Sequence, residues 1–76
     1  MPHVILKIYE GRTEEQKTEL AERLMQAVIS VTKQAEGAVS VSIEDIKRED
    51  WVEDVYKPDI LGNWDKLYKK PGYNPL

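Results

Sequence analysis

The sequence contains no cysteine and only one histidine, His3. Without thiols the chain has no disulfide framework, no cysteine nucleophile and no thiolate metal site. One imidazole does not make a metal site either, so neither a metal nor any other cofactor is expected. Ser40 and Ser42 have no histidine within reach by pattern, which argues against a serine-nucleophile triad.

Excess positive charge and long apolar runs are also missing. Eleven Lys and Arg residues against fourteen Asp and Glu residues give a formal net charge of −3. This balance removes the electrostatic attraction on which non-specific nucleic-acid binding depends. No apolar run approaches the ~20 residues of a membrane helix, and no signal-peptide pattern is present. We therefore expect a cytoplasmic protein without nucleic-acid or membrane partners.

The chain has 76 residues, which predicts a single domain over residues 1–76. Below roughly 70–80 residues, one hydrophobic core rarely contributes more than about 3–5 kcal/mol. Neither disulfides nor metals are available to add stability. Self-association would cover apolar faces and sheet edges that one copy leaves open, so a homo-oligomer is expected.

The first two-thirds of the sequence predicts an α/β fold built on one βαβ unit, over residues 2–46. Alternating apolar residues indicate a strand over 3–9 and a second strand beginning near Val39. Between them, a capping-box pattern at Thr13 opens a helix over about 14–35, with Gly37 as its stop. The crossover should be right-handed and the strands parallel. Two parallel strands are not a stable sheet alone, so oligomerisation should complete it.

The remaining third predicts a helical tail over residues 50–70. Asp50 can cap a short helix that is interrupted near Pro58, and a second apolar segment follows from Ile60. Both tryptophans, Trp51 and Trp64, lie in this tail. The tail therefore should pack against another part of the structure.

Two residues near the amino terminus have side chains or backbone groups suited to a catalytic site: one as a base, the other as a cation that binds a carboxylate. Removal of Met1 would leave Pro2 with a free secondary amine, and an ordinary α-amino group already titrates at about 7.7–8. An apolar pocket beside a cation would lower that pKa further and produce a general base. Arg12 follows the turn after the first strand, and its guanidinium suits a substrate carboxylate.

Together these features resemble the 4-oxalocrotonate tautomerase family. The resemblance covers residues 2 to about 51 and is carried by Pro2, the strand after it and the run Glu10-Gly11-Arg12-Thr13-Glu14-Glu15-Gln16-Lys17. It implies a cofactor-independent isomerase that catalyses keto–enol 1,3-proton transfer on a small enol or 2-oxo carboxylic acid. Pro2 would be the catalytic base.

The resemblance also implies a set of substrate-binding residues. Arg12 would bind the substrate carboxylate, and Trp51 would form the apolar wall, although Trp51 could equally be a core or interface anchor. Ser40 stands where prototype members have an arginine that polarises the substrate carbonyl. Arg48 is a candidate replacement, with a solvated surface charge as the simpler alternative. With one arginine, the site suits a monocarboxylic enol acid of the phenylenolpyruvate type.

The tail departs from the prototype, in which a glycine-rich hairpin builds a hexamer. The ending Lys69-Lys70-Pro71-Gly72-Tyr73 resembles a bacterial subgroup with a longer helical tail, whose members form dimers. A homodimer is therefore favoured over a hexamer. Two alternatives remain: a non-enzymatic βαβ interaction module, and a haloacrylate hydratase or dehalogenase, which usually needs two arginines.

Overall fold

The fold is a two-stranded parallel sheet whose strands are connected by one long helix. The computed structural model describes all residues 1–76. Strand β1 spans His3–Tyr9 and strand β2 spans Ser40–Ile46, and they pair in parallel from His3 beside Ser40 to Tyr9 beside Ile46. The predicted parallel βαβ unit is therefore confirmed.

Helix α1 spans Glu14–Thr32 and begins at the predicted capping box. The Gln16 amide donates to the Thr13 hydroxyl at 3.1 Å, and the Thr13 amide donates to the Gln16 side chain at 3.0 Å. One turn later, Lys17 lies 2.8 Å from both Asp45 and Glu14. The hydrogen bond to Asp45, followed by that to Glu14, raises the pKa of Lys17 to about 12. These contacts hold the start of α1 against the end of β2.

The end of α1 differs from the prediction, which extended the helix to residue 35 with Gly37 as its stop. Lys33 adopts the left-handed conformation (φ 62°, ψ 20°), and its amide donates to the Ile29 carbonyl. The last carbonyls also accept from side chains, since the Thr32 hydroxyl donates to Val28 and the Lys33 ammonium to Ser30. Lys33 therefore ends the helix in the left-handed conformation that glycine usually adopts at this position.

The helix and the tail pack against opposite faces of the sheet. Side chains alternate between faces along a strand, and parallel partners in register share a face. Asp45, paired with Lys17 of α1, belongs to the helix face. Lys7 and Tyr9 belong to the other face, where they contact Asp59 and Trp51 of the tail.

The tail contains two irregular helices in place of the predicted pair. After a turn over Arg48–Asp50, a π-helix spans Val52–Ile60 and a 3₁₀ helix spans Leu61–Lys66. The predicted interruption near Pro58 was wrong, because the helix continues through it with π geometry. The predicted Asp50 cap was also wrong, because no side chain caps the π-helix.

The single chain has almost no core of its own. Only Val55 and Tyr56, both in the π-helix, are buried, at 4% and 2% exposure. Ile5 on β1 is 55% exposed, and Val31 near the end of α1 is 80% exposed. No helix combines the length and the apolar character needed to cross a membrane.

Candidate active site

One open pocket of about 420 Å³ lies where both strands end. Its lining residues come from β1, from the β1–α1 loop and from the tail: Lys7, Ile8, Tyr9, Arg12, Trp51 and Tyr73. The volume lies within the range of small-molecule sites, roughly 300–1,000 Å³. The carboxyl ends of parallel strands are also where α/β proteins commonly bind ligands. This pocket is the candidate active site.

Four aromatic residues, which we call the aromatic cluster, form a continuous wall and its support. Tyr9 and Trp51 meet edge to face with ring centroids 5.0 Å apart. The Trp51 indole N–H donates to the Tyr73 hydroxyl oxygen at 3.0 Å. Behind them, the buried Tyr56 ring contacts the Tyr73 ring at 5.7 Å. The only buried part of the chain therefore supports the pocket wall.

The two cationic side chains that line the pocket differ in whether they are free to bind an anion. The Lys7 ammonium pairs with Asp59 at 2.5 Å, and this hydrogen bond raises the pKa of Lys7 above its ordinary value. Lys7 is therefore charged, but its charge is neutralised locally. Arg12 has neither an ion pair nor a side-chain hydrogen bond within the chain, which leaves its guanidinium free to bind an anion. Arg48 lies 4.5 Å from the Tyr9 ring centroid, beside the pocket but not among its lining residues.

The four predicted site residues fall into two pairs at opposite ends of β1. Arg12 and Trp51 both line the pocket. At the other end, the Ser40 amide donates to the Pro2 carbonyl at 3.2 Å. The Ser40 hydroxyl lies 2.7 Å from Nδ1 of His3, so the expectation that no histidine is within reach of Ser40 was wrong. At about 3.3 Å per residue, a strand of this length separates Pro2 from the pocket by about 20 Å. A single chain therefore does not bring Pro2 to Arg12 and Trp51.

Tyr73, Lys7 and Tyr9 line the pocket but were not predicted as site residues from the sequence. Tyr68, also in the tail, is fully exposed. The signal for Tyr73 was the Pro71-Gly72 dipeptide, which is typical of a turn and precedes this residue. The chain bends at Gly72, and Tyr73 lies against the cluster.

Comparison with known proteins identifies the family. The family model described as "Tautomerase enzyme" matches residues 2–59. The chain belongs to the tautomerase family. As a tautomerase it is an isomerase, and the resemblance seen in the sequence is confirmed. The match also extends beyond the residues that carried that resemblance, into the π-helix.

Individual tautomerases support this assignment. A Xylella fastidiosa protein named "Probable tautomerase" is 46% identical over 76 residues, covering 100% of this chain and 93% of its own. An Enterobacter protein named "Tautomerase PptA" is 36% identical over 75 residues, covering 97% and 99%. A solved structure from work on the 4-oxalocrotonate tautomerase isozymes of Methylibium petroleiphilum aligns with TM-score 0.64 and 36% identity, over 66% of this chain and 81% of that chain. The first two relatives thus match the chain over nearly its whole length, including the tail.

Proposed function

We propose that this tautomerase moves a proton across the enol–keto system of a small monocarboxylic acid, with the amino-terminal nitrogen of Pro2 as the base. The nitrogen takes the proton of the enol hydroxyl, and the oxygen electrons form the carbonyl. The carbon–carbon double-bond electrons then take a proton from Pro2 at the adjacent carbon. Atoms and charge balance without a cofactor.

The observation that carries this proposal is the combination of one free cation with an aromatic wall in a single pocket. Arg12 is free to form two hydrogen bonds to a carboxylate. Tyr9 and Trp51 offer an apolar surface on which the rest of a small enol acid can lie. Because Lys7 is neutralised by Asp59, the pocket has one net positive charge for one carboxylate. This favours a monocarboxylate over a dicarboxylate.

The site is complete only when a second copy of the chain supplies Pro2. The separation of about 20 Å along β1 is far beyond the reach of proton transfer, which requires hydrogen-bond distance or one intervening water. Pro2 and Ser40 of one copy would approach the pocket formed by Arg12 and Trp51 of another. Ser40 would accompany Pro2 into the site and add a hydroxyl beside the substrate.

The decisive test is Pro2→Ala, assayed by the ultraviolet change as phenylenolpyruvate ketonises. We expect kcat to fall by at most the about 10²- to 10⁴-fold that a general base contributes, because alanine leaves a primary α-amine in place of the secondary amine of proline. The fold should persist, because the Pro2 carbonyl that binds the Ser40 amide is backbone. An unchanged rate in correctly folded Pro2→Ala would overturn the proposal.

Intact-mass measurement is the matching control for the nitrogen itself. While Met1 is attached, the Pro2 nitrogen is an amide and has no basicity. Protein with Met1 removed should therefore be active, and protein that retains Met1 should be inactive with the same circular dichroism. Equal activity in both forms would exclude the amine as the base.

A further inference from the structure

Tyr73 is the polar side chain of the pocket that the proposed function leaves without a role. It lies near the end of the tail, 64 positions after Tyr9 in sequence, yet it lines the same pocket as Tyr9 and Arg12. The Tyr56 ring holds one side of its ring, and the Trp51 indole donates to its oxygen. Its position is therefore fixed by two contacts of different kinds.

The direction of the Trp51 hydrogen bond determines what the Tyr73 hydroxyl can do. A phenol has one hydrogen to donate and oxygen lone pairs that accept. Since indole N–H only donates, the Tyr73 oxygen must be the acceptor in this pair. No other group of the chain accepts from Tyr73, so its hydrogen remains available in the pocket. The accepted hydrogen bond also polarises the O–H bond and makes it a better donor.

We propose that Tyr73 is a substrate-binding residue whose hydroxyl donates a hydrogen bond to the carboxylate of the acid held by Arg12. This rests on the proposed function for the identity of the acid. It gives the pocket a second donor in addition to the guanidinium, since both residues line it. It also explains how a site that has Ser40 in place of a second arginine orients its substrate. One charged donor and one neutral donor match the two oxygens of a single carboxylate.

The first test is Tyr73→Phe, which keeps the ring and its Tyr56 contact but removes the O–H. A hydrogen bond made equally in the ground state and the transition state affects binding alone. We expect KM for phenylenolpyruvate to rise about tenfold, the usual effect of a lost donor to a charged acceptor, with kcat nearly unchanged. Tyr68→Phe is the matched control, because Tyr68 is fully exposed and outside the pocket. An unchanged KM in Tyr73→Phe contradicts the proposal.

A purely structural role of Tyr73, as the acceptor that orients Trp51, requires a separate test. Trp51→Phe removes the indole donor and keeps an aromatic wall. If Tyr73 only orients Trp51, Tyr73→Phe adds nothing in the Trp51→Phe background. If Tyr73 donates to the substrate, the tenfold rise in KM persists in that background. This double-mutant cycle separates the two roles.

Direct binding distinguishes failure of this inference from failure of the proposed function. Calorimetry with 3-phenylpropanoate, which has a carboxylate and an aromatic ring but no enol, does not depend on catalysis by Pro2. We expect Tyr73→Phe to weaken this Kd about tenfold and Pro2→Ala to leave it nearly unchanged. Equal Kd values for wild type and Tyr73→Phe would overturn the role of Tyr73 whatever the fate of the catalytic base.

Discussion

Arg12 concentrates the anion-binding capacity of the pocket in one side chain. The loop that carries it lies between the end of β1 and the capping box of α1, so its backbone is fixed on both sides. Its guanidinium has no carboxylate partner, in contrast to Arg23, which pairs with Glu19 at 2.6 Å on the exposed face of α1. Charge that is positioned by the fold but left unpaired is available for a ligand.

Replacement of Arg12 should therefore affect substrate binding. For Arg12→Ala we expect KM for phenylenolpyruvate to rise about 10- to 100-fold, because hydrogen bonds to charged groups contribute about 1.5–3 kcal/mol. Steady-state kinetics measures this directly. Arg23→Ala removes the same charge and side chain from α1 and should leave KM within about twofold, since exposed pairs contribute little. Equal effects of the two substitutions would show that only net charge matters.

At the scale of elements, the amino-terminal two-thirds of the fold was predictable because its signals are local. Strand alternation and the Thr13 capping box depend on neighbouring residues, and both have the predicted effect. The tail was less predictable because its helices depend on contacts far away in sequence. The tail is held in place by the contacts of Lys7 with Asp59 and of Trp51 with Tyr73. Neither pair produces a periodic pattern in the sequence. No motif indicated that the site residues lie at opposite ends of β1. Their separation is a consequence of the length of the strand.

The capping box also matters for function, because it fixes the loop that carries Arg12. Thr13→Ala should lower the free energy of unfolding by about 1 kcal/mol, since it removes the acceptor of the Gln16 amide. Urea denaturation at one fixed protein concentration measures this change. Thr18→Ala is the control: Thr18 is exposed within the same helix, and alanine there favours the helix slightly. A Thr13→Ala protein as stable as wild type would mean that tertiary contacts alone set the start of α1.

At the scale of the whole molecule, a single chain buries too few residues to form a hydrophobic core, and it does not bring Pro2 to the pocket. Two buried residues among 76 are far fewer than an independently stable domain of this size needs. Ile5 lies on the sheet face that the tail only partly covers, and Val31 is exposed near the end of α1. A second copy that covers such residues and brings its Pro2 to the pocket meets both needs at once. The dimer expected from the resemblance of the tail stays a prediction.

The proposed sharing of the site between two copies makes a prediction that concerns only the assembly. Pro2→Ala chains and Arg12→Ala chains are each inactive or weak, but refolded together at equal amounts they should recover about a quarter of wild-type activity. Half of the pockets have an intact Arg12, and half of those receive an intact Pro2 from a neighbour. A site formed within one chain would gain nothing, because every pocket would carry one defect. Replacing the Arg12→Ala partner by a Pro2→Ala/Arg12→Ala double variant removes every intact Pro2 and should abolish the recovery. Light scattering on the same samples measures whether the refolded chains form the expected dimer. If mixed dimers form and no activity is recovered, the proposed shared site is wrong.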